Sequence, residues 1–170
     1  MSAPSAYDQA RVEAIANTLP PNARLLVQVG ADGGALARHY HGMYPSTSWV
    51  VLEADGAAAQ RATRYAERVI QVRLDSADPG LFRHLQWADA WLFDLTLERL
   101  QQPAAVLAAL RAVIQYDACV LACVANPGDQ LAALTQLLHE AGFRLCANYA
   151  LNAGAASEPE HYLIKAMPAG

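Results

Sequence analysis

The segment LLVQVGADGGALARHY, Leu25 to Tyr40, gives the clearest indication of the fold. Its first five residues are rich in aliphatic side chains, and together with the two residues before them they predict a buried strand over Ala23–Val29. Three glycines in the next five residues predict a tight turn, and apolar residues at helical spacing predict a helix from about Gly33 to Met43. A strand, a glycine turn and a helix in this order are typical of nucleotide-binding α/β proteins.

The rest of the chain alternates between apolar strands and helical segments after a first helix at Ala6–Thr18. Such alternation predicts a parallel sheet with helices on both faces. No helix separates the last two strands, so one of them is expected to run antiparallel. We therefore predict a three-layer, Rossmann-like α/β sandwich over residues 1–170, in which residues 1–22 lead into the first strand. The further predicted strands are Ser48–Ala54, Val69–Leu74, Ala88–Leu95, Ala118–Ala125, Phe143–Leu151 and Glu160–Met167, which gives a seven-stranded sheet.

Composition narrows the function classes. The chain has 170 residues, 54% of them hydrophobic, and a net charge of −4, which suits one domain and argues against a nucleic-acid surface. It has no apolar run of the ~20 residues that cross a bilayer and no signal peptide at its start. We therefore expect a cytoplasmic protein with reduced thiols. Cys119, Cys123 and Cys146 lack metal-ligand spacing and are predicted to be buried, apolar residues, with no metal site.

The glycine turn does not fit a dinucleotide. The dinucleotide fingerprint places glycine at its first, third and sixth positions, which are Gly30, Asp32 and Ala35 here. A carboxylate at Asp32 would stand beside a pyrophosphate, and two like charges about 4 Å apart cost about 4 kcal/mol at an effective dielectric of 20. The turn therefore predicts a ligand that bears a cation and lacks a phosphate, such as S-adenosylmethionine.

Three acidic residues follow or end successive predicted strands. Glu53 is placed to accept the hydroxyls of a ribose, as the acidic residue of dinucleotide folds does. Asp75 is placed to accept from an adenine amino group, and Asp94 lies where the methyl group is expected. Because strand ends of a parallel sheet meet at one edge, these acids and the glycine turn predict one ligand cleft. The predicted cofactor-binding residues are Gly30, Ala31, Asp32, Gly34, Glu53, Ala54, Asp75, Ser76 and Asp94.

These segments resemble the class I S-adenosylmethionine-dependent methyltransferase family over nearly the whole chain. LVQVGADGG resembles the first motif of the family, VVLEAD its second strand end, and VRLDSAD its third. The resemblance implies a seven-stranded sheet with the last strand antiparallel and S-adenosylmethionine as the cofactor. The sequence departs from the family at Gln28, where an acid is usual, at Asp32, which replaces the second glycine, and at Arg99, which replaces a histidine.

Two function classes remain open, and a third is weaker. The first is a methyltransferase acting on a small molecule or a carrier-borne group such as a sugar; the second is a non-catalytic, methyltransferase-like binding or assembly domain. The third, an NAD(P)-binding oxidoreductase, is opposed by Asp32. No catalytic base is identified, although His161, Tyr162 and Asn126 lie where an acceptor is expected. Short segments after the fourth and fifth strands predict a shallow acceptor site, or one completed by a homodimer partner or another chain.

Overall fold

The protein is described as a computed structural model that covers residues 5–125, 129–151 and 158–170, with only the backbone of residues 129 and 130. Asn126 and most of the connection between the last two strands, two regions singled out in the sequence, lie outside the described residues. The strands are β1 Leu25–Val29, β2 Ser48–Glu53, β3 Arg68–Gln71, β4 Ala90–Asp94, β5 Cys119–Ala125, β6 Phe143–Leu151 and β7 His161–Pro168. The helices are α1 Ala6–Thr18, α2 Ala35–Met43, α3 Gly56–Ala62, α4 Pro79–His84, α5 Pro103–Arg111 and α6 Asp129–Glu140.

The strands form one sheet in the order β3-β2-β1-β4-β5-β7-β6. Every pair from β3 to β5 is parallel, whereas β7 runs antiparallel to both β5 and β6. The predicted seven-stranded sheet with one antiparallel C-terminal strand is confirmed. The chain moves outward in one direction from β1 to β3 and then restarts on the other side of β1 with β4. Loops that leave the carboxyl ends of β1 and β4 diverge at this point, which opens a crevice there.

Side chains of each strand alternate between two hydrophobic cores, one on each face of the sheet. In β1, Val27 and Val29 join a core with α4, α5 and α6, whereas Leu26 joins a core with α1, α2 and α3. The same alternation separates Trp49 in β2 from Trp91 in β4. Helices therefore cover both faces, and the predicted three-layer architecture is confirmed.

The third predicted strand is too long. β3 ends at Gln71 rather than Leu74, and Asp75 lies in a 3₁₀ turn, Leu74–Ser76, instead of directly after the strand. β3 is an edge strand that pairs with β2, and their register ends at Glu53 opposite Gln71. Val72 still donates its N–H to the carbonyl of Glu53 at 2.9 Å. Because β2 ends at Glu53, the ladder ends there although the apolar pattern continues to Leu74.

The three cysteines do not share one environment. Cys119 and Cys123 are buried in the central strand β5, but Cys146 is exposed. The prediction that all three are buried is wrong for Cys146, which lies in the edge strand β6, where most side chains face solvent. Burial raises the pKa of the Cys119 thiol to about 11 and that of the Cys123 thiol to about 12.

The described helices are short. α1 has 13 residues, and none of the helices in residues 5–125, 129–151 and 158–170 combines the length and apolar character that a bilayer crossing requires.

Candidate functional site

The turn after β1 depends on close backbone approach at Gly30. Gly30 adopts a φ of 89°, and its N–H donates to the carbonyl of Leu52 at 2.8 Å. A Cβ at this position would lie 2.5 Å from Cγ2 of Thr96, which follows β4. Only glycine combines this left-handed conformation with so little space. Gly30 therefore lets the turn lie against the segment that leaves β4.

Asp32 closes the start of α2. Its Oδ1 accepts the N–H of Gly34 at 2.7 Å. Gly34 is the N-cap residue of α2 and has a φ of 84°. Tyr65 holds the same segment, because its hydroxyl contacts the backbone N–H of Asp32 at 3.1 Å. The Tyr65 ring also covers Gly34, where a Cβ would lie 2.4 Å from Cδ1. The Gly34 N–H, which a phosphate could otherwise use, already has an acidic partner.

Glu53 approaches the turn from the end of β2. Its Oε1 accepts the N–H of Ala31 at 3.2 Å, and its Oε2 accepts the N–H of Ala54 at 2.7 Å. The carboxylate is half-buried and therefore keeps part of its surface free. Oε2 also accepts the N–H of Asp55 at 3.3 Å. Since a carboxylate offers about four lone-pair sites and three N–H groups use it here, Glu53 retains limited acceptor capacity for a ligand.

The ends of β1 and β2, the segment after β3 and the turn after β4 enclose a cleft of about 250 Å³, here called the strand-end cleft. Four of the predicted residues line it: Gly30, Ala31, Glu53 and Ala54. The remaining wall is mostly apolar. It consists of Val29, Leu52, Val72, Leu74, Thr96, Arg99 and Leu100.

Asp75 and Ser76 do not reach this cleft. The Asp75 carboxylate accepts the N–H of Gln101 at 3.0 Å and that of Gln102 at 2.9 Å, which anchors the segment that leads into α5. Ser76 lies in the same 3₁₀ turn, with its hydroxyl 3.5 Å from the carbonyl of Arg73. The cleft wall in this region comes instead from Val72 and Leu74.

A second cleft, of about 180 Å³, lies between α1 and the other side of the glycine turn and is here called the α1 cleft. Asp32 and Asp94 both line it, together with Asp8, Arg11, Val12, Ile15, Gly33, Ala35 and Leu36. Asp94 is paired there with Arg11, whose Nη1 lies 2.5 Å from Oδ1 of Asp94. The two side chains are 10% and 19% exposed, respectively. Burial raises the pKa of Asp94 above its ordinary value, against the attraction of Arg11.

α1 also brings Tyr7 to the start of β7. The Tyr7 hydroxyl is hydrogen-bonded to Nδ1 of His161, and the two rings are stacked. His161 pairs with Ala125 in β5, two residues beyond Cys123, which pairs with Asp94 at the end of β4. The site therefore collects side chains from α1, β4 and β7 around Asp94.

Sequence reasoning missed most of the residues contributed by α1 and by the turn after β4. Arg11 and Tyr7 lie about 80 and 150 positions from their partners, a separation that no local pattern reveals. Leu95 has a φ of 58°, which is uncommon for a non-glycine residue and is often found at functional sites. No sequence signal marks it, because nothing in its residue type favours that conformation.

Gln28 is buried in β1, with 1% of its surface exposed. Its Oε1 accepts the indole N–H of Trp49 at 2.8 Å, while its Nε2 has no partner among the described residues. The amide therefore lies in the α1, α2 and α3 core and lines neither cleft. Among the same residues, no group of three or more His, Cys, Asp or Glu side chains is placed to hold a metal ion.

No model of a known protein family matches the chain, and no curated protein matches it in sequence. Solved structures match it in fold. The N-methyltransferase NodS from Bradyrhizobium japonicum WM9 has a TM-score of 0.73 at 10% identity, over 96% of this chain and 97% of NodS. The mitomycin 7-O-methyltransferase MmcR has a TM-score of 0.70 at 14% identity, over 94% of this chain and 53% of MmcR.

A third match is the O-methyltransferase NcsB1 from neocarzinostatin biosynthesis, solved in complex with S-adenosylmethionine and 2-hydroxy-5-methyl naphthoic acid. Its TM-score is 0.69 at 16% identity, over 95% of this chain and 55% of NcsB1. The chain thus spans about half the length of MmcR and NcsB1. At such identities the likeness establishes the fold, which is that of the class I S-adenosylmethionine-dependent methyltransferases.

Proposed function

We propose that the chain is an S-adenosylmethionine-dependent methyltransferase that acts on a small molecule or on a carrier-borne group such as a sugar. The observation that carries this proposal is the position of Glu53. A half-buried carboxylate ends β2, holds the turn after β1 through Ala31 and lines the strand-end cleft. Such a group suits a ribose diol, because a carboxylate accepts hydrogen bonds from both hydroxyls.

The rest of the strand-end cleft fits an adenosine. Leu52, Val72, Leu74 and Leu100 offer an apolar surface for a purine ring, and Arg99 is the cationic residue of the same wall. The mostly apolar lining supports a nucleoside as the ligand of this cleft.

The α1 cleft fits the other end of the same molecule. Asp94 and Asp32 are acidic groups that attract an amine or a sulfonium. Arg11 already pairs with Asp94, so a cationic ligand has to share or replace this partner. We propose that Arg11 shifts within the cleft when the cofactor binds.

S-adenosylmethionine, when bound, would supply a methyl group whose bond to sulfur breaks as the acceptor forms its new bond, with the bonding electrons returning to sulfur. The protein has to align the acceptor and remove its proton. His161 is our candidate for the proton acceptor, because the sheet register places it just beyond the end of β4 and Tyr7 holds its Nδ1. In the tautomer whose Nδ1–H donates to the Tyr7 hydroxyl oxygen, Nε2 carries no proton and would accept one from the acceptor.

The two alternatives make different demands on the same residues. An NAD(P)-binding oxidoreductase would need the turn to accept a pyrophosphate, but Asp32 takes the Gly34 N–H. A non-catalytic binding or assembly domain would need no acceptor and no proton acceptor, and it gains support from the Arg11–Asp94 pair, which fills the methyl end of the site. We place the protein in the cytoplasm, where the free thiols of Cys119, Cys123 and Cys146 stay reduced.

Thermal-shift titrations with S-adenosylmethionine, S-adenosylhomocysteine and NAD test the proposal. A ligand that binds only the folded state raises the unfolding temperature, and at a given concentration a tighter ligand raises it more. We expect both adenosyl ligands to raise it more than NAD does. A response to NAD alone would contradict the proposal. Formation of S-adenosylhomocysteine in the presence of a small-molecule acceptor library separates the enzyme from the non-catalytic domain.

A further inference from the structure

The largest of the three clefts around the glycine turn does not belong to the proposed cofactor site. It has a volume of about 560 Å³ and lies between the turn, α2 and α3. Three guanidinium groups line it: Arg38 from α2, Arg61 from α3 and Arg64 from the turn after α3. We call it the arginine cleft. Its other lining residues are Ala31, Asp32, Gly33, Ala58 and Tyr65.

The positive charge of this cleft is largely uncompensated. None of the three arginines forms an ion pair within the part of the chain that the structure describes, and there Arg61 and Arg64 make no side-chain hydrogen bond. Arg38 donates to the carbonyl of Gly33 at 2.7 Å. Asp32 is the one acidic lining residue, and it is engaged by the N–H of Gly34. The whole chain has a net charge of −4, so this positive cleft is a local exception. Exposed arginines can be solvated without converging on one cleft.

The walls of the arginine cleft are held in place. The Tyr65 hydroxyl is bonded to the backbone of Asp32, and its ring packs against Gly34. Burial raises the pKa of Tyr65 to about 12, so the phenol stays neutral and adds no negative charge. Tyr65 therefore joins the glycine turn to the segment after α3, and both line the arginine cleft.

We propose that the arginine cleft binds a phosphate-bearing small molecule, with the phosphate between Arg38, Arg61 and Arg64. Guanidinium groups bind phosphate through paired N–H donors, which makes arginine the preferred residue for this ligand. A small molecule fits better than a nucleic acid, because the acidic protein would repel the rest of a polyanion. The arginine cleft shares Ala31 with the strand-end cleft, and Asp32 and Gly33 with the α1 cleft. Its three arginines line neither of those clefts, so the proposal does not depend on the proposed cofactor.

Isothermal titration with inorganic pyrophosphate tests this site. We expect the wild-type chain to bind it, and the double variant Arg61→Gln/Arg64→Gln to bind it at least about tenfold more weakly, through the loss of charge-assisted hydrogen bonds. The matched control is Arg83→Gln/Arg144→Gln, which removes the same charge from two exposed positions outside the cleft. The control should bind like the wild type, and added salt should weaken binding in both.

Three results would overturn the site: no binding of pyrophosphate by the wild type, equal losses in the two double variants, or tighter binding of a single-stranded oligonucleotide than of pyrophosphate. S-adenosylhomocysteine, titrated into the same samples, separates this question from the proposed function. Pyrophosphate binding without S-adenosylhomocysteine binding would support the phosphate site and contradict the proposed methyltransferase function. Circular dichroism verifies that the variants are folded, which is expected because Arg61 and Arg64 are exposed.

Discussion

At the scale of single residues, two carboxylates flank the same glycine turn and act on different N–H groups. Glu53 accepts from Ala31 on the side of the strand-end cleft, whereas Asp32 accepts from Gly34 at the start of α2. Glu53 thus faces the proposed ribose, and Asp32 determines the charge that a ligand meets at the helix start. Substitution of either one tests a separate part of the proposed cofactor site.

Glu53→Ala should weaken binding of S-adenosylhomocysteine by about 1.5–3 kcal/mol, the usual value of hydrogen bonds to a charged group. Calorimetric titration measures this change. Asp55→Ala is the matched control, because Asp55 caps α3 through the N–H of Ala58 and does not line the cleft. Equal affinity of the wild type and Glu53→Ala would show that Glu53 only supports the turn.

Asp32→Gly should distinguish ligands by their charge. The substitution frees the Gly34 N–H and removes a negative charge, so ADP and NAD should bind more tightly than to the wild type. S-adenosylmethionine should bind equally well or slightly more weakly, because it loses one attractive contact. Parallel titrations of the three ligands measure the contrast, and a gain for all three would identify Asp32 as a steric obstruction.

At the scale of elements, α1 covers the ends of β4, β5 and β7. Arg11 reaches Asp94 in β4 and lies 3.9 Å from Sγ of Cys123 in β5, and Tyr7 reaches His161 in β7. Ile15 and Ala16 bury the lower part of the helix against α2 and the sheet. The helix is therefore part of the site as well as part of the core.

Arg11→Met should destabilise the fold in a pH-dependent way. Burial already raises the pKa of Asp94 in the folded state above its ordinary value of 3.8. The folded state therefore holds this proton more tightly than the unfolded state does, so the protein loses stability as the pH rises from 3.8 through the folded-state pKa. Without Arg11 this pKa rises further. We expect a loss of about 1–3 kcal/mol at neutral pH, below the range for fully buried pairs, which disappears towards pH 3.8.

Urea unfolding at several pH values measures this loss. The control is Arg11→Met/Asp94→Asn, which removes both charges and should recover most of the stability at neutral pH. A loss that is the same at every pH would mean that Arg11 contributes only its packing.

The strands β5 and β6 should differ in thiol reactivity. Cys146 is exposed on β6, whereas Cys119 and Cys123 are buried on β5 with pKa values of about 11 and about 12. A thiol reagent should therefore modify one cysteine of the native protein at neutral pH and all three after denaturation. The variant Cys146→Ser should be inert until it unfolds. Rapid reaction of that variant would show that β5 opens in the native state.

At the scale of the whole molecule, one sheet supports two cores, and each core contains its own buried tryptophan. Trp49 lies in the core with α1, α2 and α3, and Trp91 in the core with α4, α5 and α6. Trp87 is 64% exposed and reports on neither. The four adjacent strands β2, β1, β4 and β5 each contribute side chains to both cores. The two faces of the sheet should therefore not unfold independently.

We therefore predict a single domain that unfolds in one cooperative step. In Trp87→Phe/Trp91→Phe, fluorescence follows the Trp49 core; in Trp87→Phe/Trp49→Phe, it follows the Trp91 core. Within each variant the urea midpoint from fluorescence should equal that from circular dichroism. Separate midpoints in either variant would mean that one layer of helices melts before the sheet.

The sequence alone predicted the layers, the alternation of strands and helices along the chain, and the glycine turn, whereas the order of the strands in the sheet came from the structure. Apolar runs such as Leu25–Val29 and Cys119–Ala125 predict buried parallel strands because both faces of such strands are covered. Acids near strand ends, such as Glu53 and Asp94, could be recognised because strand ends of a parallel sheet meet at one edge. These features are local, and local patterns are visible in a sequence.

Tertiary contacts determine which acids share a cleft and which residues surround them. Glu53 lines the strand-end cleft, whereas Asp75 turns to the backbone of Gln101 and Gln102. Arg11 and the arginine cleft depend on how helices from distant parts of the chain pack against the turn. Such contacts depend on packing between elements far apart in sequence, and residue type and spacing do not encode the direction in which each side chain points.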